Sequence, residues 1–204
     1  MRLRLLLTAA GLSLAAALAG CSLGGPQLIG EYNARRDLGY QVPAIPISQV
    51  PQKYRRQIVD YRTREKPGTI IVDTGEKHLY FVLPEGKAVR YGIGVGREGF
   101  EWKGTARVAL KRAWPVWTPP AEMIRRQPEL QKWRNGQPPG PRNALGARAL
   151  YLFNKGGDSG YRLHGTPEWN SIGKAMSSGC IRLLNQDIID LHDRASVGAK
   201  VIVI

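Results

Sequence analysis

TIIVDTGEKHLYFVLPEGKAVRYGIGV, Thr69 to Val95, reads as three short strands in succession. TIIVD (Thr69–Asp73), KHLYFVL (Lys77–Leu83) and KAVRYGIGV (Lys87–Val95) are β-branched or aromatic runs. The turn chemistry of Thr74-Gly-Glu and Pro84-Glu-Gly separates them. The pattern continues toward the C-terminus. GTARVALKRAW (Gly104–Trp114) alternates Val108 and Leu110 against charges, and RALYLF (Arg148–Phe153) and YRLH (Tyr161–His164) flank a turn at Asn154–Gly160. A helix is expected to start near Asn185, with Ile188 and Leu191 facing inward and Asp187 in its acid-favouring first turn. AKVIVI closes the chain as a last strand. Many short strands with one or two short helices make residues 67–204 a mainly β domain.

Upstream the pattern changes. Ser22 to Lys66 is rich in Pro, Gly, Arg and Gln and carries little apolar periodicity, so residues 21–66 read as a flexible tether. Such a chain of n residues spans roughly 5–6 Å × √n. PQKYRRQIVDYRTR, Pro51–Arg64, has Tyr54, Ile58 and Tyr61 at helical spacing and is expected as a short helix. Further upstream, Arg2 and Arg4 precede the apolar run LLLTAAGLSLAAALA, Leu5–Ala19. That run is short for a membrane span and fits the h-region of a signal peptide over residues 1–20. Leu18-Ala-Gly-Cys21 resembles the lipobox of bacterial lipoproteins. The resemblance implies cleavage before Cys21, acylation of Cys21 and a membrane anchor facing the exterior of the cytoplasm. Ser22, where an Asp would imply inner-membrane retention, implies the outer membrane, facing the periplasm, in a Gram-negative cell.

The whole chain has 30 basic and 16 acidic residues among 204. Loss of the first twenty leaves 28 basic residues and a charge of +12. Such a charge suits an anionic neighbour. Export and the lack of any nucleic-acid motif or basic stripe leave nucleic acid out. One pattern misleads: Gly94-Val-Gly-Arg-Glu-Gly99 matches GxGxxG. A dinucleotide site would need a helix to open there, and Phe100-Glu-Trp-Lys-Gly does not begin one. The glycines suit a tight connection beside a site.

Two cysteines are present, Cys21 and Cys180. With Cys21 taken by lipid, Cys180 is the lone thiol of an exported chain, so it is either buried and inert or a working nucleophile. A thiol needs a base or a cation beside it to attack. Three histidines are available. His192 sits on the polar side of a helix and His78 at a strand start, where an edge position is expected. His164 ends a strand before Gly165-Thr-Pro, sixteen residues ahead of Cys180, where a loop can fold back. The competing assignment is a structural histidine. Gly179 would let backbone N–H groups turn toward an oxyanion, or simply make a turn. Arg182, two residues past Cys180, would share its side of an extended chain. There it would lower the thiol pKa or clamp a carboxylate, or form a surface ion pair. One cysteine and scattered histidines show no metal-ligand spacing.

Taken together, YRLHGTPEWNSIG (Tyr161–Gly173), SSGCIRL (Ser177–Leu183), NQDIIDLHDR (Asn185–Arg194), NALGARALYL (Asn143–Leu152) and PVWTPPAEMI (Pro115–Ile124) resemble the YkuD-type L,D-transpeptidase domain, in its order, over residues 67–204. Ser178 stands where many members have His, and Ala144 where Pro is usual. The resemblance implies a β-sandwich or barrel with no cofactor. It makes Cys180 the nucleophile, His164 the general base and acid, the Gly165 carbonyl the orienter of His164, and Gly179 part of an oxyanion hole. Arg182 and Ser178 are the implied donor contacts, with Trp117, Tyr151 and Trp169 as groove-wall candidates or ordinary packing aromatics. The implied substrate is the tetrapeptide stem of peptidoglycan. Cys180 would form a thioester with release of D-Ala. A second stem, a lysine of a wall-anchored acceptor protein, or water would resolve it, giving respectively a 3–3 cross-link, an attachment or a trimmed stem. The alternative function is a same-site thiol hydrolase or amidase that trims stems or releases wall-anchored protein.

Overall fold

A computed structural model describes residues 25–97, 102–177 and 179–204. The signal segment and the lipobox Cys21 therefore lie outside the described residues, as does Ser178. Four strands come before the expected domain: β1 (Gln27–Leu28), β2 (Arg35–Asp37), β3 (Tyr40–Val42) and β4 (Gln57–Asp60). The expected meander follows as β5 (Ile70–Asp73), β6 (His78–Val82) and β7 (Lys87–Gly92). Then come β8 (Val95–Gly96), β9 (Gly104–Ala113), α1 (Ala121–Arg126), β10 (Arg148–Asn154) and β11 (Gly157–Thr166). The chain ends with β12 (Ala175–Ser177), β13 (Ile181–Leu184), α2 (Asn185–Arg194) and β14 (Lys200–Val203). The mainly β expectation with few short helices holds.

Ten strands form one sheet in the order β1-β4-β7-β6-β5-β14-β9-β10-β11-β13. Its two halves share one apolar core. Ile70, Leu79 and Tyr91 from the first half meet Val108, Leu150, Leu163 and Leu183 from the second, with Ile188 and Leu191 of α2. The far strand also returns to the near half: the N–H and carbonyl of Gly94, just past β7, exchange hydrogen bonds with Arg182 at 2.9 and 2.8 Å. A side chain at Gly94 would press on the Ser171 carbonyl, its Cβ 2.8 Å away. The first two glycines of the nucleotide-like motif thus serve backbone pairing, Gly94 here and Gly96 in β8, which pairs with β12.

Four expectations change, three of them local. Leu110 does not share the inward face with Val108. The β9–β10 register shifts between Tyr151, opposite Leu110, and Leu152, opposite Val108, and such a bulge turns the following side chain over. Leu110 is accordingly exposed and Val108 buried. His78 is no edge residue. Its strand β6 is flanked by β5 and β7, and its buried Nε2 lies 3.0 Å from the Lys53 carbonyl. Pro51–Arg64 forms no α-helix: a 3-10 turn at Gln52–Tyr54 leads into β4, where Ile58 and Val59 pair with Val89 and Ala88.

The largest change concerns residues 25–66. In place of a free tether, this segment is a strap packed along the domain. Its fastenings are polar. Asp37 takes both Nη atoms of Arg148 at 2.7 and 2.8 Å and the Trp114 indole N–H at 2.6 Å. The Tyr32 hydroxyl accepts the Arg56 N–H at 2.7 Å and donates to Asp187 of α2 at 3.3 Å. Arg56 reaches Asp190 at 3.2 Å and faces Asp187 at 3.8 Å. Apolar contacts fill the gaps, with Val42 beside Trp114 and Ile189, and Tyr32 beside Ile172 and Leu184. Side chains of opposite sign separated by 110 or more residues carry no periodic signal, which is why composition alone reads the strap as loose.

Asp187 is fully buried. Burial pushes its carboxyl up to about 7, against the attraction of Arg56. Removing Arg56 strands this group, so Arg56→Ala is expected to cost about 3–5 kcal/mol, visible as a lower midpoint in urea unfolding. The pH effect has a definite sign. A carboxyl raised on folding contributes its full share of stability below its unfolded pKa, near 3.9, and loses that share as pH rises through the folded value. Melting temperature should therefore lose this contribution from about pH 4 to about pH 7, and Asp187→Asn should remove that fall. Parallel profiles for the two proteins would contradict this.

Candidate active site

The parallel pairing of β11 with β13 builds the site. Leu163 lies opposite Ile181 and His164 opposite Arg182. Alternation then sends Leu163, Ile181 and Leu183 into the core, where all three are buried. Arg162 and His164 on one strand, with Cys180 and Arg182 at the start of the other, share the opposite face. This is the physical content of the sixteen-residue spacing: the connection is long enough to bring β13 back parallel to β11, and the register sets the cysteine near the histidine.

Gly165 lets this pair sit on α2. A side chain there would collide with Asn185 and with Ile188, whose Cγ2 would lie 2.9 Å from the added Cβ. The Asn185 carboxamide oxygen meanwhile accepts the Ala147 N–H at 2.9 Å, tying α2 to the chain just before β10. The Gly165 carbonyl lies 2.6 Å from His164 Nδ1. A carbonyl can only accept, so Nδ1 carries the proton and Nε2 is left as the basic nitrogen. His164 is buried, and burial pushes its pKa down to about 4, helped by Arg182 and Arg162. The imidazole is neutral at neutral pH.

Burial pushes the Cys180 thiol up, although the Arg162 and Arg182 guanidiniums favour the thiolate. Its Sγ lies 4.0 Å from the Gly160 carbonyl. Arg162 is held in place by both Asp158 oxygens, at 2.6 and 2.7 Å. Its guanidinium sits 4.3 Å from the ring centroid of Tyr151. Gly179 adopts φ +118°, a conformation suited to glycine. Its N–H, expected to face an oxyanion, instead donates to Ser177 Oγ at 3.2 Å, while the Ser177 hydroxyl donates to the Cys180 carbonyl at 2.6 Å. Ser177 therefore shapes the cysteine loop, a role that its place in the motif did not reveal.

Cys180, His164 and Arg182 open into a cleft of about 410 Å³. Trp117 lines it. Its backbone pairs with Gln137 at 3.1 and 2.7 Å, closing the base of an excursion that carries α1 and a 3-10 helix at Pro128–Trp133. Met123 and Trp133 from that excursion supply the outer wall, a feature not visible in the sequence. The other two aromatic candidates are placed elsewhere. Tyr151 supports Arg162, and Trp169 packs against the Tyr32, Ile172 and Leu184 cluster beneath the strap.

A neutral thiol beside a neutral imidazole implies that proton transfer accompanies attack and does not precede it. The rate of Cys180 alkylation by iodoacetamide should rise with pH to a midpoint above the ordinary thiol value of about 8.5. A rate already at its plateau near neutral pH would show a preformed thiolate–imidazolium pair.

Comparison with known proteins places this geometry. Residues 67–203 match the L,D-transpeptidase catalytic domain family, YkuD. The chain is similar to the probable L,D-transpeptidase ErfK/SrfK of Escherichia coli K12, 35% identical over 144 residues, 66% of this chain and 43% of that protein. It is likewise similar to the probable L,D-transpeptidase YcfS of the same strain, 37% identical over 141 residues, again 66% of this chain and 43% of that protein. The alignments thus span less than half the length of these relatives. Among solved structures, a protein described as a probable carnitine operon oxidoreductase from Brucella melitensis is 42% identical, with a TM-score of 0.52, covering 78% of this chain and 99% of that one. An L,D-transpeptidase from Mycobacterium smegmatis shares the fold, with 21% identity and a TM-score of 0.50 over 67% of this chain and 58% of its own.

Proposed function

We propose, from the fact that this chain belongs to the L,D-transpeptidase catalytic-domain family, that it is a cysteine-dependent peptidyl transferase acting on peptidoglycan tetrapeptide stems. The observation that carries the proposal is the shared face of β11 and β13. It sets a thiol beside an imidazole whose Nδ1 is fixed on Gly165 and whose Nε2 is left basic.

The steps follow from that arrangement. His164 Nε2 takes the Cys180 proton as the sulfur attacks the carbonyl between the L-centre of diaminopimelate and the terminal D-Ala. The neutral resting state suits this, since a base acts best when unprotonated at the working pH. Arg162 and Arg182 stabilise the negative sulfur as it forms. The imidazolium then returns the proton to the amine of D-Ala, which departs and leaves a thioester. An acceptor amine attacks the thioester, gives its proton to His164 and restores the thiol. With the Gly179 N–H tied to Ser177, the Cys180 N–H is the nearer candidate for the oxyanion donor. No step draws on a metal or an organic cofactor.

The Brucella neighbour's description as an oxidoreductase suggests no second function for this chain. Its one nucleotide-like motif provides Gly94 to a bridge with Arg182 and Gly96 to a strand, where a dinucleotide site would need a helix N-terminus. Export and lipidation at Cys21 belong to the same proposal, since they set the thiol in the compartment where the substrate lies.

Soluble protein beginning after Cys21, incubated with tetrapeptide-bearing disaccharides, is expected to yield 3–3 linked dimers by mass spectrometry. Cys180→Ala should abolish them while leaving the circular dichroism spectrum unchanged. Tripeptide alone would identify a hydrolase or a missing protein acceptor. Product formation by Cys180→Ala would overturn the mechanism.

A further inference from the structure

At the rim of the cleft Arg182 Nη1 meets Glu168 Oε2 at 2.7 Å. Glu168 is the one acidic side chain among the described residues lining the cleft, set against Arg97, Arg142 and Arg182. Its backbone is firmly held. The Glu168 N–H donates to Thr166 Oγ1 at 3.0 Å, and its carbonyl accepts from the Ser171 N–H at 3.0 Å and the Ser171 hydroxyl at 2.7 Å. The side chain is free to move, being 59% exposed. An ion pair so open to water is cheap to separate.

The grip on Arg182 is also incomplete. Glu168 takes one Nη, while Arg182 Nε is buried and has no hydrogen-bond partner within the protein. A buried donor without an acceptor is unfavourable. What a carboxylate arriving from the cleft can meet is the accessible part of the Arg182 side chain, 22% exposed, where it could share the fork-shaped donor set. The exposed part of Arg182 is thus available to a ligand, with the Glu168 carboxylate beside it.

The geometry points to a paired-charge subsite in which Arg182 takes the carboxylate and Glu168 the ammonium of a zwitterionic amino-acid head on the donor stem. Glu168 is then a specificity-determining residue. The inference rests on the transferase function proposed above. Its spacing is suitable: Arg182 lies two residues beyond Cys180 on the same face, about 6.6 Å along a strand. The side arm of diaminopimelate carries its distal amine and carboxylate a comparable distance from the carbonyl that the thiol attacks. A cleft lined with arginine alone would accept any carboxylate. Placing an acid against Arg182 adds a requirement for a cation and repels a stem that offers only negative charge.

Binding to the inactive Cys180→Ala protein tests this apart from turnover. Calorimetry would compare the native tetrapeptide stem with the same stem acetylated on its distal amine, each against Cys180→Ala and against Cys180→Ala with Glu168→Gln. Glu168→Gln is expected to weaken the native stem about tenfold or more, with the acetylated stem unaffected. Equal weakening of both stems would make Glu168 only a positioning group for Arg182. Tighter binding of both would make it a self-blocking latch. No change, or no binding of the native stem, would also overturn the subsite. The transferase proposal fails on a different observation, the absence of Cys180-dependent product, which leaves any measured discrimination by Glu168 standing.

Discussion

The parallel pairing of β11 and β13 is the constraint on which the site depends. Shifting β13 by one residue against β11 would turn Ile181 and Leu183 outward and bring Arg182 into the core in their place. The apolar face therefore fixes the polar one. The core enforces the alignment that sets Cys180 and His164 on one face, so the geometry of the candidate site is insured by the burial of its neighbours. Gly165 and Gly94 complete the arrangement. One lets α2 lie directly on β11, and the other lets the far half of the sheet approach β13 closely enough to hydrogen-bond.

A second layer of fixing comes from outside the family-matched region. Residues 25–66 precede the match at 67–203, yet Tyr32 and Arg56 fasten to α2, the helix on which Gly165 rests. The electrostatics are unequal. Asp190, partly open to water and bonded to Arg194 and Tyr91, is held below the usual carboxylate range. Asp187, at the bottom of the same cluster, is pushed up. The two carboxylates next to Arg56 thus differ in ionisation because one keeps water and several donors and the other keeps neither.

The sequence made some of this plain and hid the rest for physical reasons. Strands β5 to β7 were legible because alternation and turn residues are local signals, as was α2 from Asp187, Ile188 and Leu191. Cys180, His164 and Arg182 were legible from their spacing and from resemblance, and the structure lays them in one cleft. What lay hidden depended on partners distant in sequence. Asp37 meets Arg148 across 111 residues and Tyr32 meets Asp187 across 155. Leu110 fits an alternating pattern until a bulge reverses it, and nothing in its own segment announces the bulge. Glu168 looks like any loop acid until the fold brings it against Arg182. Trp169 shows the opposite limit: an aromatic within a motif suits a groove wall or ordinary packing equally, and only the fold places it against Tyr32, Ile172 and Leu184.

The fastened strap also bears on where the enzyme can work. A loose chain of some 45 residues would let the domain drift roughly 35–40 Å from its attachment point. With residues 25–66 laid against the domain, only the step from Cys21 to Gly25 remains between the proposed lipid and the folded protein, at most about 14 Å of chain. The catalytic cleft would then ride at a nearly constant height above the bilayer. Under the proposed anchoring and substrate, its search for stems would become one of lateral diffusion in two dimensions, confined to the layer of wall nearest the membrane, and lengthening that short step would widen the layer it could service.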